Sequence, residues 1–165
     1  MYRISNMVRI TDQYFWNFVF GLFFVLLTIM GAIILETETR IPFAELTLVD
    51  FTLITLATWR VIRLFVYDSI TKFLREQFYD VEKAGKGFRL VKPATGPRRT
   101  LADLFSCPWC FGVWAAASVT FFYLLFPVFQ FFAIFLAISA VATSLQLLTN
   151  MIGWQAEKLK MEVEG

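Results

Sequence analysis

The sequence predicts an all-α membrane protein with about four transmembrane helices and a basic loop between the second and third spans. Of its 165 residues 58% are hydrophobic and only 17% are charged, whereas a soluble domain is about 45–50% apolar and about 25% charged. Twenty residues are phenylalanine, more than a soluble core of this size normally holds. Residues 15–35 contain no charge, and the chain, 1–165, fits a single membrane domain.

The composition excludes several functions. The chain has no histidine, which is the commonest metal ligand and the commonest general acid–base group. A Ser-His-Asp or Cys-His arrangement within this chain is therefore impossible. The formal net charge of +2 is too small to indicate nucleic acid as a partner. Two cysteines three positions apart cannot form the disulfide framework of a small secreted domain.

Residues 15–35 form the first predicted span. A helix of this length is about 31 Å long, close to the thickness of the hydrocarbon core of a bilayer. Tyr14 and Trp16 stand at one end, where interfacial aromatic residues are expected. The run is longer than the core of a signal peptide, and Glu36 follows it. We therefore expect a retained helix rather than a cleaved signal.

The second predicted span, residues 46–67, is less uniformly apolar. We expect its Asp50 near one membrane interface and its two arginines near the other. Arg60 and Arg63 share one helix face. They either extend into the lipid headgroups or form an inward-facing pair that binds an acid or a phosphate. The candidate acids within the chain are Asp68 and Asp103.

Residues 68–103 form the predicted basic loop. Its first part alternates apolar and charged side chains like an amphipathic helix on a membrane surface. Glycines and prolines then mark flexible loop, and residues 88–91 would form an isolated strand without a partner. Thr100 and Asp103 match a capping box, so a short helix is expected to start there and to end before Pro108. The loop's lysines and arginines would attract anionic lipid headgroups.

Residues 104–126 and 128–152 are the third and fourth predicted spans. One unbroken helix over both would be about 73 Å long, far more than a bilayer needs, so Pro127 is expected to lie in a tight turn. Lysine and arginine are concentrated in the basic loop and occur near both termini, whereas the acidic connection 36–45 has only Arg40. The positive-inside rule then predicts a multi-pass protein of the bacterial inner membrane with both termini and the loop in the cytoplasm.

The only two cysteines, Cys107 and Cys110, flank Pro108 and Trp109 where the third apolar segment begins. Proline suits the first position of a helix. The unpaired N–H groups and the dipole at a helix N-terminus favour a negatively charged sulfur. The sequence therefore supplies conditions for a reactive or metal-binding thiol.

Three hypotheses for the cysteine pair remain open. The sulfurs pack as small apolar groups, while their neighbours anchor the helix at the interface: Pro108, Trp109, Gly112 and Trp114. Alternatively they ligate zinc, which prefers four ligands and would need Asp103, Asp68 or a second chain; no other cofactor is predicted. The third hypothesis is thiol–disulfide exchange, although a reducing cytoplasm disfavours a stable disulfide.

Two stretches of the chain resemble one family. The first is LATWRVIRL, residues 56–64, with Asp68, Ile70 and Arg75 downstream, and the second is CPWCFGVW, residues 107–114. They are similar to the signature of DUF1360, an uncharacterised family of small bacterial and phage membrane proteins, some of them linked to sporulation. The resemblance covers about residues 46–152. It implies a helical membrane protein of bacterial or phage origin and implies no activity.

The predicted function is an integral inner-membrane structural or interaction component, either oligomeric or bound to a protein partner. Two alternatives remain: a membrane thiol–disulfide oxidoreductase that uses Cys107 and Cys110, and a phage-type lysis or membrane-remodelling protein. The sequence leaves enzymatic activity open but leans against it, because the chain has no histidine and no second cysteine pair.

Overall fold

Helices make up most of the protein in the computed structural model, which describes residues 2–38, 45–85 and 87–164. A two-stranded sheet and a short 3₁₀ turn, Ser69–Thr71, complete the fold. The elements in chain order are α1 (Tyr2–Glu38), α2 (Leu48–Val66), α3 (Lys72–Glu76), β1 (Asp80–Ala84), β2 (Gly87–Val91), α4 (Pro97–Ser106), α5 (Pro108–Leu125) and α6 (Pro127–Glu164).

The four long helices α1, α2, α5 and α6 run alternately up and down. We call the end of this bundle that carries residues 67–106 the head end, and the opposite end the far end. At the far end Leu35, near the last turn of α1, packs in one cluster with Tyr123 of α5. At the head end Gln13 of α1 donates a hydrogen bond to Thr100 of α4 at 2.9 Å. Each long helix is therefore antiparallel to the next one along the chain.

Helix α2 lies in the centre of the bundle, between α5 and α6, and α1 packs on α5 and α4. The interior is rich in alanine, and Ala57 and Ala140 are fully buried. Small residues let helix backbones approach closely, as they do in membrane bundles. Large apolar side chains such as Phe18 and Ile33 instead face outwards. An apolar outer surface of this extent is suited to contact with lipid.

Three helices are long and apolar enough to cross a membrane, within the part of the chain that the structure describes: Asp12–Glu38, Pro108–Leu125 and Pro127–Val163. Helix α2 is not among them, because its 19 residues include Asp50, Arg60 and Arg63. The prediction of an all-α membrane protein is thus confirmed in this coarser form. The second predicted span, residues 46–67, corresponds to α2.

The predicted span 104–126 is wrong at its start, because the helix is interrupted at Cys107, whose backbone is extended. Residues 104–106 belong to α4, and Pro108 opens α5. The predicted capping box is also wrong. Helix α4 begins at Pro97 after Gly96, whose φ of +96° favours glycine, and Thr100 lies inside the helix. The predicted break between the third and fourth spans is present, since the extended residue Phe126 separates α5 from α6, but Pro127 itself is the first residue of α6.

Residues 68–103 are more ordered than a plain loop. Residues 88–91 are not an isolated strand, because β2 pairs with β1 in an antiparallel hairpin in which Val81 lies opposite Leu90 and Lys83 opposite Phe88. The sequence signal of β1 is weak because two of its five residues are charged acids and one is lysine.

The first and last helices extend beyond the predicted spans 15–35 and 128–152. Helix α1 begins at Tyr2, and α6 continues to Glu164. The end of α6 is rich in glutamate, lysine and methionine, which are strong helix formers, and Lys158 and Glu162 form an i,i+4 ion pair. Most of the predicted acidic connection 36–45 lies outside the described residues.

Candidate functional site at the junction of α2 and α5

The C-terminus of α2, at the head end, is capped by side chains that follow it in sequence. Arg75 of α3 donates hydrogen bonds to the carbonyl oxygens of Phe65 at 2.8 Å and of Asp68 at 3.1 Å. The hydroxyl of Thr71 donates to the carbonyl oxygen of Leu64. The last carbonyl groups of a helix have no partner within it, so these bonds satisfy groups that would otherwise be left unpaired.

Arg60 connects three parts of the chain. Its guanidinium Nη1 lies 3.0 Å from Asp68 Oδ2, and its Nε donates to Ser139 Oγ of α6 at 2.9 Å. The side chains of Arg60 and Asp68 are only 15% and 26% exposed. The pair therefore fixes the turn after α2 and also holds α2 against α6.

Arg63 is not paired in the same way. The structure gives it no ion pair with a carboxylate within the described residues, and its Nε is buried without a hydrogen-bond partner. Its guanidinium carbon lies 6.0 Å from the centroid of the Tyr67 ring, a cation–π contact at the outer limit of distance. Of the two predicted arginines, only Arg60 meets a carboxylate among the residues that the structure describes.

The cysteine pair lies at the corner between α4 and α5. Cys107 is the N-cap of α5, and its sulfur accepts a hydrogen bond from the N–H of Cys110 at 3.2 Å. The two cysteines form a disulfide, with Cα atoms 5.3 Å apart. Trp109 between them is 85% exposed. The backbone turn thus brings the two sulfurs together at the start of the helix.

The two signature stretches meet at this corner. A Cβ atom added to Gly112 would lie 3.3 Å from Cδ1 of Ile62 in α2, so glycine permits a close approach of α5 to α2. The ring centroid of Phe65 lies 5.5 Å from that of Phe111 and 6.4 Å from that of Phe105. We call Phe65, Phe78, Phe105 and Phe111 the aromatic cluster; it packs the end of α2 against the start of α5.

Trp114, predicted as an interfacial anchor, is partly buried and packs against α1. Its ring centroid lies 4.8 Å from that of Phe24 in α1. Pro108 occupies the first turn of α5, as predicted. The glycine and tryptophan of the second signature therefore position α5 against two of its neighbours, α2 and α1.

Asp103 lies apart from Arg60. It accepts hydrogen bonds from Lys92 at 2.7 Å and from Arg99 at 2.8 Å, which tie α4 to the chain after the hairpin. Burial raises the pKa of Asp103, but the hydrogen bonds and charges of Lys92 and Arg99 outweigh burial and hold that pKa below its usual value. Asp103 is thus an ion-pair residue of residues 67–106, which we call the head.

A metal site would need ligands beyond the cysteine pair. No group of three histidine, cysteine, aspartate or glutamate side chains comes together among residues 2–38, 45–85 and 87–164. Asp68 and Asp103, the predicted additional ligands, are engaged by Arg60 and by Lys92 and Arg99. The zinc hypothesis therefore depends on a second chain.

Several contacts were not predicted from the sequence. Thr100 is buried and takes part in a hydrogen-bond group with Gln13 and Asn17 of α1. At the far end the hydroxyl of Tyr123 donates to Asp50 Oδ1 at 2.6 Å. Gln13, Asn17, Asp50 and Tyr123 are polar residues within or at the edge of apolar helices, and that is the signal that could have identified these contacts.

These features define the class of the protein: a helical, membrane-type bundle with a small polar head that carries a cysteine pair. The chain belongs to the family described as "Protein of unknown function (DUF1360)", whose sequence model matches residues 53–149. That range includes both signature stretches, so the resemblance seen in the sequence is confirmed.

Two proteins of Bacillus subtilis (strain 168) are similar to this chain. The UPF0713 protein YngL is 30% identical over 109 residues, which are 66% of this chain and 82% of that protein. The sporulation protein YjcA is 34% identical over 104 residues, which are 59% of this chain and 88% of that protein. No solved structure matches the chain.

Proposed function

We propose that this protein is a four-span structural or interaction component of the bacterial cytoplasmic membrane, with its head and both termini on the cytoplasmic side. The observation that carries the proposal is that the signature residues make contacts within the protein. Arg60, Asp68 and Arg75 bind one another or backbone carbonyl groups, and Gly112 serves a helix contact. A signature that holds helices together is expected of a scaffold.

The position of α2 supports a fourth span. It lies between α5 and α6, and its first turn is tied to the far end through Asp50 and Tyr123. Arg60 is about 15 Å along the helix from Asp50 and about 9 Å before Val66, so a fourth span would place it inside the hydrocarbon core, closer to the head end. An arginine at that depth needs a partner, and the ion pair with Asp68 supplies one.

Charge supports the orientation. The head carries more lysine and arginine than aspartate and glutamate, and its exposed cations include Lys83, Arg89 and Arg98. Short loops rich in lysine and arginine stay in the cytoplasm. In that orientation the head faces anionic lipid headgroups and soluble partners. The relative called a sporulation protein suggests a setting in sporulation for such a component.

Labelling of single cysteines tests the topology. In a variant that lacks Cys107 and Cys110, a maleimide that cannot cross membranes should label Leu48→Cys and Val128→Cys in intact spheroplasts. It should label Glu82→Cys and Gln155→Cys only after the membrane is opened. Labelling of Leu48→Cys from the same side as Glu82→Cys would show that α2 does not span the membrane.

The disulfide favours a second candidate, a membrane thiol–disulfide oxidoreductase. In that reaction a partner dithiol would reduce the Cys107–Cys110 disulfide with two electrons, and its two protons would remain with the new thiols. Exchange proceeds through a mixed disulfide. The exchange is reversible, so in Cys107→Ala or Cys110→Ala the remaining thiolate can attack the disulfide of the oxidised partner, and the mixed disulfide persists because no second thiol of this chain resolves it. At least one of the two variants should show this species on non-reducing gels if the second candidate is right, and neither should show it if the protein is a scaffold.

A further inference from the structure

Helix α6 extends well past the bundle at the head end. Arg60 of α2 meets Ser139 of α6, and α2 continues for only six residues to Val66. Because both helices run towards the head end, the residue of α6 level with Val66 is near Leu145. Every residue from Leu145 to Val163 is exposed, and this segment is about 27 Å long. We call it the α6 extension.

The α6 extension carries an apolar stripe with an unusual period. Its members follow one another at intervals of three, four, four, three and four residues, which is an 11-residue repeat. Such a repeat keeps a stripe almost straight along a helix and produces a slight right-handed supercoil when two helices pair. The residues of the stripe are Leu145, Leu148, Ile152, Ala156, Leu159 and Val163.

The edges of the stripe carry complementary charge. At 100° per residue Lys160 lies about 80° to one side of the centre of the stripe, and Glu162 lies about 80° to the other side. In a parallel pair of identical helices each edge faces the opposite edge of the partner. Lys160 of one copy would then face Glu162 of the second copy, on both sides of the contact.

We propose that the α6 extension pairs with the same segment of a second copy of this chain in a parallel two-fold dimer. The inference rests on the proposed topology. Insertion in one membrane gives both copies the same orientation, so a two-fold axis along the membrane normal sets the stripe against itself. Beyond the predicted span 128–152 no lipid covers Leu159 and Val163, and pairing removes them from water.

The opposite side of the extension is a poorer candidate for this contact. It also holds large apolar side chains, Met151, Trp154 and Met161. Glu157 and Lys158 interrupt them, and like charges would meet at the centre of a symmetric contact. The stripe from Leu145 to Val163 has no charged member.

Cysteine cross-linking in native membranes tests the dimer. The full chain without Cys107 and Cys110 would receive Ile152→Cys, Ala156→Cys or Leu159→Cys on the stripe, with Trp154→Cys and Glu157→Cys as controls. After oxidation with copper phenanthroline, the stripe variants should form disulfide-linked dimers at least tenfold more than the controls. Dimers through Trp154→Cys, equal amounts at all positions, adducts only with other proteins, or no dimers would overturn the proposal.

Two further measurements separate the dimer from the topology. A membrane-impermeant maleimide should label Trp154→Cys, Ala156→Cys, Glu157→Cys and Leu159→Cys in inverted vesicles, and absence of labelling at all four would overturn the topology and the dimer together. Full labelling without cross-links would leave the topology intact and reject the dimer. In the Leu159→Cys variant, Lys160→Glu should reduce cross-linking severalfold and Lys160→Glu with Glu162→Lys should restore it. Equal cross-linking in all three would reject the predicted edge pairing.

Discussion

The two ends of the bundle are held together by different means. At the far end an apolar cluster that includes Leu35 and Ala133 packs around Tyr123 and Leu124, and a hydrogen bond of 2.6 Å joins Tyr123 to Asp50. At the head end Arg60 is paired with Asp68, Arg75 caps α2, and the aromatic cluster joins α2 to α5. Both signature stretches meet at the head end.

The difference follows from how the helices are connected in sequence at each end. At the far end α5 and α6 are joined through the single extended residue Phe126, so their separation is fixed by the covalent chain. At the head end α2 and α5 are separated by 41 residues of sequence, and only side-chain contacts hold them together. Substitutions at the head end should therefore destabilise the protein more than substitutions at the far end.

The largest effect is expected from Asp68→Ala. Removal of this carboxylate leaves Arg60 largely buried without its ion pair and should lower the free energy of unfolding by about 3 kcal/mol. Asp80→Ala is the matched control, because its pair with Arg98 is half exposed and should contribute less than about 1 kcal/mol. Unfolding in mixed micelles with increasing SDS measures both. Equal losses of stability in Asp68→Ala and Asp80→Ala would show that the buried pair with Arg60 contributes no more than an exposed ion pair.

A moderate effect is expected from Gly112→Val. The new side chain would collide with Ile62 and should cost about 1–3 kcal/mol. Gly21→Val is the control, since a Cβ at Gly21 meets nothing within 4 Å. Ile62→Ala should recover part of the loss in the Gly112→Val background but not in the Gly21→Val background. A similar loss at Gly21 would mean that helix propensity, not contact with α2, explains the effect.

The far-end bond should have a smaller effect. Tyr123→Phe removes only the hydroxyl that donates to Asp50. Hydrogen bonds between membrane helices average about 0.6 kcal/mol and reach about 1.7 kcal/mol, so a loss in this range is expected in the same SDS assay. A loss larger than that of Asp68→Ala would reverse the proposed ranking of the two ends.

The smallest effect is a dependence on pH at Asp103. Its pKa is lowered in the folded protein, so its ion pairs with Lys92 and Arg99 stabilise the fold above the unfolded pKa of about 3.9. That contribution is lost as the pH falls through the lower folded value. Because the carboxylate is 41% exposed, it should amount to less than about 1 kcal/mol.

The variant Asp103→Asn isolates this contribution. Between about pH 5 and pH 3 the wild-type protein should lose more stability than the variant, as measured by thermal unfolding in detergent. Parallel curves for the two proteins would show that the Asp103 carboxylate contributes nothing to the pH dependence.

The length of the apolar segments and the positions of the prolines predicted the main helices, but the contacts between side chains could not be predicted. The uncharged run 15–35 and the prolines Pro108 and Pro127 predicted where α1, α5 and α6 lie or begin. Ser139 could not be assigned to Arg60, because that contact depends on how α6 rotates against α2.

The hairpin was missed for a related reason. Strand β1 has little strand propensity of its own and is defined by its pairing with β2. The turn at Gly85, whose φ is +61°, could have suggested it. The structure of the head was therefore harder to predict from the sequence than the membrane-type helices, because it depends on pairing between segments.

The coupling between Arg60 and Asp68 tests most directly whether the signature holds α2 in the bundle. The measurement is a double-mutant cycle of Arg60→Met, Asp68→Asn and the double variant, with unfolding in SDS–detergent micelles as readout. We predict that the double variant is at least about 1 kcal/mol more stable than the sum of the single effects allows. Single effects that add within about 0.5 kcal/mol would contradict a structural ion pair between these residues.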